Sequence, residues 1–230
     1  MDIEMKTAMY PLERRVTVVC GHYGTGKTNL AINLALDSAD RGEDVVLIDL
    51  DVVNPYFRSA DYASELTARG VKVVGPNYAN TNLDTPSLPG AVKGALNHPG
   101  RVIVDVGGDD AGATALGVYT STLKDMDPDV LYVVNRYRSL TTRPEEALEI
   151  LGEIERTSRL KATAVVNNSH LKASTTAETI LDSMDFASRV AEESDLSLRF
   201  TTVPSHLRDA LLNKIPNMYP VDVHVRAPWE

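Results

Sequence analysis

One short segment near the start of the chain holds the residues best suited to chemistry. It reads Gly21-His22-Tyr23-Gly24-Thr25-Gly26-Lys27-Thr28 and matches the phosphate-loop pattern G-x-x-x-x-G-K-[ST] at every fixed position. Glycines let such a loop curl until its backbone N–H groups face a phosphate, and the helix that follows adds the positive end of its dipole. We therefore expect the whole segment, together with Asn29, to bind the phosphates of a nucleotide.

Two side chains of this segment carry the charge chemistry. We expect Lys27 to lie between the β- and γ-phosphates and the Thr28 hydroxyl to coordinate Mg²⁺. The strand-like run RVTVVC precedes the loop, and the helix-like run TNLAINLAL follows it. Phosphate binding requires this strand–loop–helix placement, whereas the alternative is a glycine-rich turn that only caps a helix.

Three aspartates stand at the carboxyl ends of two other apolar runs. Asp49 and Asp51 end VVLIDLD, and Asp105 ends RVIVD. In enzymes with a phosphate loop, one carboxylate holds Mg²⁺ through water and another orients the attacking water. We expect Asp49 and Asp105 to join Thr28 at Mg²⁺. Catalysis is assigned to Asp51, Asp49 and Lys27, with ordinary turn or helix-cap roles as the alternative for the aspartates.

Two glycines, Gly107 and Gly108, come shortly after the last of these carboxylates. Since neither has a side chain, the backbone there can approach a γ-phosphate closely. Both are therefore expected at the nucleotide.

The rest of the chain alternates between strand and helix patterns. Nearly continuous apolar runs, typical of strands buried on both faces, cover Val16–Cys20, Val45–Ile48, Val71–Val74, Val102–Val106, Val130–Val134, Ala162–Val166 and Phe200–Val203. Helical patterns cover Thr28–Arg41, Arg58–Arg69, Leu88–Leu96, Arg143–Arg159, Thr175–Glu193 and Ser205–Leu212. This alternation predicts an α/β fold: an open, mostly parallel sheet of seven or eight strands with helices on both faces. We expect one domain over residues 1–230, with 1–15 and 216–230 as peripheral extensions.

Composition narrows the function classes. The chain carries 23 Lys and Arg against 32 Asp and Glu, a net charge of −9, which argues against a nucleic-acid partner. No run approaches the ~20 apolar residues of a membrane span, and the start lacks a signal-like apolar core, so no membrane partner is expected. One cysteine, Cys20, cannot form an internal disulfide. A soluble, cytoplasmic protein is the expectation.

The ordered motifs GHYGTGKT, DLDVVNP, DVGG, VVNN and TTVP resemble those of the MinD/ParA/Mrp and nitrogenase-iron-protein class of P-loop ATPases, over about Val16 to Leu207. The chain is most similar to a MinD-like branch with a GHYGxGKT loop. The resemblance implies ATP and Mg²⁺ as cofactors, Asp51 as the residue that positions water, and Asp105 in the Mg²⁺ shell. It also implies that adenine is held by Asn167 or Asn168 and by the stretch Pro204–Leu207, which includes Ser205. For the asparagines, a simple turn role is the alternative.

One loop position departs from these relatives. They usually carry a second lysine where this chain has His22, and that lysine reaches the other subunit's nucleotide. A nucleotide-dependent homodimer therefore stays an open alternative, and we expect another cation, from this chain or from a partner, to complete the site. Arg58 is the first candidate and Arg138 the second, although Arg136 and Arg138 are equally typical of solvated loop residues.

Three functions follow as hypotheses. The first is a slow Mg²⁺-dependent ATPase that acts as a conformational switch for an unidentified protein partner. The second is an ATP-dependent ligase or kinase, similar to dethiobiotin synthetase or the cobyrinate amidases, with an acceptor pocket at Tyr78–Leu83 or Asp109–Thr114. The third is a nucleotide sensor without hydrolysis, which would have no need of Asp51.

Overall fold

The computed structural model describes residues 11–51, 62–75 and 88–225 of the chain. Within these ranges the valine-rich runs form strands at β1 Val16–Gly21, β2 Val45–Asp49, β3 Val71–Val74, β4 Arg101–Asp105, β5 Asp129–Val134, β6 Ala164–Asn167, β7 Ser197–Pro204 and β8 Met218–Val221. They form one eight-stranded sheet in the order β3-β2-β4-β1-β5-β6-β7-β8. Every pairing is parallel, so the predicted open parallel sheet is confirmed.

Helices cover both faces of the sheet. They are α1 Lys27–Asp40, α2 Ala63–Ala68, α3 Leu88–Leu96, α4 Asp110–Val118, α5 Thr120–Asp125, α6 Pro144–Ser158, α7 Ala177–Asp182, α8 Met184–Glu193 and α9 Arg208–Leu211. Successive strand residues alternate between two cores: Val18 belongs to the core that contains α4, α6 and α8, and Val19 to the core that contains α1. This alternation follows from the two-residue period of a strand and confirms the two-layer cover that the sequence predicts.

Three features differ from the sequence prediction. Strand β8 is missed because Pro220 interrupts its apolar pattern, and proline is tolerated here because β8 is an edge strand. Helix α4 is missed because Gly112 and Gly117 weaken its helical pattern, and α5 is missed because six residues are too few to show a helical period. The helix predicted over Thr175–Glu193 is two helices that meet at Ser183. The start of the helix predicted at Arg58 lies outside the described residues.

The topology brings the polar strand ends to one edge. Because all the strands run in the same direction, the residues that follow β1, β2, β4, β5, β6 and β7 share the carboxyl edge of the sheet. Central strand β1 has β4 on one side and β5 on the other, so the loop after β1 lies between their carboxyl ends. Ligands bind open parallel sheets at this edge.

Candidate nucleotide site

The loop between β1 and α1 has the backbone of a phosphate loop. Gly24 and Gly26 adopt left-handed φ angles of 75° and 82°, which favour glycine. The Thr25 hydroxyl donates to the carbonyl oxygen of His22 at 2.9 Å and closes the loop on itself. Helix α1 starts at Lys27, directly after the last loop glycine. Its unpaired N-terminal N–H groups and its dipole make this end suited to an anion.

Lys27 is the buried cation of this loop. Its side chain is 6% exposed, and Nζ donates to the carbonyl oxygen of His22 at 3.0 Å. Burial lowers the pKa of Lys27 below its ordinary value, while the charges of Asp105 and Asp51 act to raise it. An ammonium group held between a loop carbonyl and two acidic side chains is placed to exchange these partners for phosphate oxygens.

The three predicted carboxylates lie together beside the loop. Asp49 and Asp105 are register partners at the ends of β2 and β4, and both are buried. Asp105 is also the register partner of Val19 in β1, two residues before Gly21. The Asp49 carboxylate accepts the backbone N–H of Asp51 at 2.9 Å, which fixes the turn that carries Asp51.

The glycines after β4 let this cluster approach the loop. A Cβ on Gly107 would lie 3.2 Å from Oδ1 of Asp51. A Cβ on Gly108 would lie 2.6 Å from the backbone nitrogen of Tyr23 and 2.8 Å from Nζ of Lys27. Any side chain at Gly108 would therefore collide with the phosphate loop, so a glycine is required there.

The donor set fits Mg²⁺. This ion prefers oxygen ligands, keeps several waters and needs only one or two protein carboxylates beside substrate phosphates. Asp49 and Asp105 supply carboxylates, and Thr28 supplies a hydroxyl in the first turn of α1. In the described ranges, His, Cys, Asp and Glu nowhere form a group of three that could hold a metal ion.

The two asparagines after β6 have different surroundings. Asn168 donates from Nδ2 to the carbonyl oxygen of Thr25 at 2.6 Å, and its Oδ1 accepts the Thr202 hydroxyl at 2.5 Å. Asn167 instead donates to the Ser183 hydroxyl at 3.0 Å. The structure thus brings Asn168, and not Asn167, to the phosphate loop, while adenine contact by either stays a prediction.

The other predicted base-site residues lie further along the edge. Pro204 ends β7 and is half-buried, and Ser205 is exposed at the start of a single 3-10 turn. Asn29 is held by the segment after β8, because its Oδ1 accepts the N–H of His224 at 2.8 Å and its Nδ2 donates to the carbonyl of Asp222 at 2.9 Å.

Two side chains brace the loop from the β5 side: Arg138, which the sequence indicates as a candidate cation, and Asn135, which it does not. Asn135 is buried and accepts the N–H groups of Tyr137 at 3.0 Å and His170 at 3.3 Å. Arg138 donates from Nε to the carbonyl oxygen of Gly24 at 2.6 Å. The sequence signal that identifies Asn135 is the same as for the aspartates: a polar residue directly follows an apolar strand, as in VVNRYR.

Two histidines near the loop are held neutral. Burial lowers the pKa of His170 to about 4, and the positive charges of Arg138 and Lys172 act in the same direction. Burial and the charge of Lys27 also lower the pKa of His22. Nδ1 of His170 accepts the N–H of Lys172 at 3.2 Å, so its Nε2 carries the proton.

Two predicted features lie outside the described residues: Arg58 and the Tyr78–Leu83 acceptor candidate. The other acceptor candidate, Asp109–Thr114, forms the start of α4, where the Asp109 side chain accepts the N–H of Gly112 at 2.8 Å. Among the described helices, none is both long and apolar enough to cross a bilayer.

Comparisons with known proteins agree with this architecture. Residues 16–171 match the family model of the CobQ/CobB/MinD/ParA nucleotide binding domain. None of the curated proteins compared with the chain matches it.

Solved structures share the fold at low sequence identity. The cell division protein FtsY of Thermotoga maritima is 20% identical with a TM-score of 0.52, over 88% of this chain and 66% of that one. FtsY of Mycoplasma mycoides is 17% identical with a TM-score of 0.56, over 88% of this chain and 65% of that one. The signal recognition particle 54 kDa protein of Aeropyrum pernix, in complex with GDP, is 15% identical with a TM-score of 0.55, over 85% of this chain and 43% of that one. The chain thus spans less than two thirds of the length of these proteins, and the likeness concerns the fold.

Proposed function

The chain belongs to the CobQ/CobB/MinD/ParA nucleotide-binding domain family, and we propose that it binds Mg·ATP, hydrolyses it slowly and acts as a switch for a protein partner. The observation that carries the proposal is the position of Lys27. It lies in the phosphate loop, close enough to Asp105 and Asp51 that their negative charges act to raise its pKa. A cation beside two carboxylates at the N-terminus of a helix is the arrangement that phosphoryl transfer to water needs.

Each side chain has one role in the proposed reaction. Lys27 leaves the His22 carbonyl and binds β- and γ-phosphate oxygens, where its charge stabilises the transition state. Asp51 orients the attacking water, and the adjacent Gly107 leaves room beside its carboxylate. When bound, Mg²⁺ neutralises part of the phosphate charge; Asp49, Asp105 and Thr28 are the residues that hold it.

Base recognition favours adenine. Guanine presents N1–H and N2–H donors on the edge that proteins read with a carboxylate, and residues 167–176, which follow β6, contain no Asp or Glu. Asn168 offers one donor and one acceptor to adenine, because Nδ2 carries a second N–H and Oδ1 a second lone pair beyond the bonds to Thr25 and Thr202. The similar structure in complex with GDP makes guanine the alternative to test.

Phosphate release from Mg·ATP and Mg·GTP by the purified chain tests the proposal. We expect hydrolysis of ATP with a kcat/KM at least about tenfold above that of GTP, the discrimination that one or two base hydrogen bonds provide. A preference for GTP would refute the base assignment. Tight ATP binding without any phosphate release would refute hydrolysis, and a phosphorylated or ligated product found by mass spectrometry would indicate transfer to an acceptor.

A partner-dependent switch adds a second requirement. A single turnover should be slow in the isolated chain and faster with the partner. Asp51→Asn, loaded with ATP or ADP, is the bait for affinity capture, because it should retain ATP unhydrolysed. A protein retained with ATP and released with ADP supports the switch, and equal retention with both nucleotides contradicts it.

A further inference from the structure

The phosphate loop holds one buried cation, Lys27, whereas a triphosphate carries several negative charges. Lys27 supplies a single charge, and the chain as a whole carries −9. His22, although it lies in the loop, has its pKa lowered by burial and by Lys27, so its imidazole is neutral at pH 7. Mg²⁺ and the N-terminus of α1 offset part of the phosphate charge, and an arginine within reach of the loop would add a permanent charge from the protein itself.

Arg138 is that side chain in the described part of the molecule. Its guanidinium lies against Gly24: a Cβ placed there would come within 3.0 Å of both the guanidinium carbon and Nε. Nε donates to the Gly24 carbonyl at 2.6 Å. The N–H groups of Nη1 and Nη2 have no partner among the described residues. Arginine stays charged at all relevant pH values, and its planar fork suits phosphate oxygens.

The backbone around Arg138 is built to hold this position. The Arg138 N–H donates to the carbonyl of Asn135 at 3.2 Å, and the Thr141 N–H donates to the carbonyl of Arg138 at 3.1 Å. The buried Thr141 hydroxyl closes the turn by donating to Asn135 at 2.9 Å. Since Asn135 directly follows β5 and its amide also bonds to His170, the turn is joined to the segments that follow β5 and β6.

We propose that Arg138 binds the γ-phosphate of the nucleotide from within the same chain and supplies the second side-chain cation of the site. Nε stays on the Gly24 carbonyl, while Nη1 and Nη2 donate to phosphate oxygens. The inference rests on the proposed function, since it needs a triphosphate in the loop. An arginine supplied in cis in this way accelerates phosphoryl transfer by about 10³–10⁵ in other phosphate-loop enzymes.

A purely mechanical role is the competing explanation, in which Arg138 only braces Gly24. Two substitutions separate the roles. Arg138→Gln places an amide nitrogen at the chain position of Nε, so it keeps a donor for the Gly24 carbonyl but removes the charge. Arg138→Lys keeps the charge but loses the Nε donor and the fork.

Arg136→Ala is the matched control. It lies on the same turn, but its side chain donates to the carbonyl of Asp182 in α7 and not to the phosphate loop. It should keep wild-type nucleotide binding and turnover.

The experiment measures Mg·ATP and Mg·ADP affinity and single-turnover hydrolysis in these variants, with folding checked by circular dichroism. We expect Arg138→Gln and Arg138→Ala to lower the ATP-to-ADP affinity ratio by at least about tenfold and the rate by about 10²–10³. Arg138→Lys should recover part of both losses.

Two results would overturn the proposal. Wild-type rate and ATP preference in Arg138→Gln, with losses only in Arg138→Ala, would make Arg138 a brace. Equal losses of ATP and ADP affinity in Arg138→Gln would also show that no γ-phosphate contact exists. Lys27→Ala separates this failure from that of the proposed function, because unchanged ATP binding in that variant would remove the nucleotide site altogether.

Discussion

At the residue scale, the site works by giving one buried ammonium group partners that can be exchanged. Lys27 donates to the His22 carbonyl and lies in the field of Asp105 and Asp51. A buried cation is costly unless it is paired, and these partners keep it charged until phosphate oxygens replace them. In the proposed function the carboxylates therefore have two roles, one in the charge of Lys27 and one in the chemistry at the γ-phosphate.

Asp51→Asn separates binding from chemistry. The amide keeps the size of the side chain but cannot orient and polarise water as a carboxylate does. We expect Mg·ATP affinity within about tenfold of the wild type and a kcat lowered by ~10²–10⁴. Steady-state hydrolysis together with a binding titration measures both quantities. Asp185→Asn, on the exposed side of α8, is the control; if Asp51→Asn hydrolyses ATP normally, Asp49 becomes the catalytic candidate.

His170→Asn tests the electrostatics beside the loop through the pH dependence of stability. The folded-state pKa of His170 is about 4, so the folded chain resists the proton that the unfolded chain takes up near pH 6.5. Stability therefore falls as the pH drops from 7.5 towards 4, and His170 contributes to that fall. Urea unfolding at pH 7.5 and pH 5.0 should show a smaller loss in His170→Asn than in the wild type.

The control for this measurement is His206→Asn, on an exposed turn. It should lose as much stability between the two pH values as the wild type. An equally large loss in His170→Asn would contradict the neutral, buried state of that imidazole.

At the element scale, the close approach of the β4 end to the phosphate loop is the critical contact. A methyl group at Gly108 would lie 2.6 Å from the backbone nitrogen of Tyr23, so one of the two segments must move. We expect Gly108→Ala to lower Mg·ATP affinity by at least about tenfold, since a shifted loop no longer directs its N–H groups at phosphate. Isothermal titration of Mg·ATP into Gly108→Ala and the wild type measures this loss of affinity.

Gly152→Ala in α6 is the matched change. A Cβ there meets no atom within 4 Å, and the residue is exposed. Alanine should raise the free energy of unfolding by ~0.5–1 kcal/mol, because it reduces the conformational entropy of the unfolded chain and has a higher helix propensity than glycine. Nucleotide affinity should not change. Two outcomes would contradict the packing described for the loop: a loss of nucleotide affinity in Gly152→Ala, or unchanged nucleotide affinity in Gly108→Ala.

The sequence predicts which residues reach the carboxyl edge of the sheet, but not which of two neighbouring residues faces the phosphate loop. Asp49 and Asp105 could be placed at the site because any polar residue that ends a buried parallel strand reaches the same sheet edge. Which asparagine faces the loop could not be predicted. The β6–β7 pairing shifts register between Val165 and Val166, just before Asn167 and Asn168, and such shifts are not visible in an apolar pattern.

Contacts between residues far apart in the sequence could not be predicted from it either. The bond from Arg138 to Gly24 joins residues 114 positions apart, and it depends on β1 and β5 being neighbours in the sheet. Strand order is a property of the whole fold, which one sequence constrains only through the rule that parallel crossovers are right-handed.

At the scale of the whole molecule, the fold concentrates positive charge at one point of an acidic chain. The N-terminus of α1, Lys27 and Arg138 meet at the carboxyl edge of the sheet, whereas the net charge is −9. We expect a local cationic site on an acidic protein to favour small, highly charged anions over a nucleic-acid backbone.

Isothermal titration of Mg·ATP into the wild type and Lys27→Ala tests the central claim most directly. Lys124→Ala, at an exposed position of α5, is the control for loss of one positive charge. Lys27 is the buried ammonium directed at the β/γ-phosphate position, so its removal should weaken binding beyond detection while the variant stays folded. Wild-type affinity in Lys27→Ala would contradict the assignment of this loop as a nucleotide site.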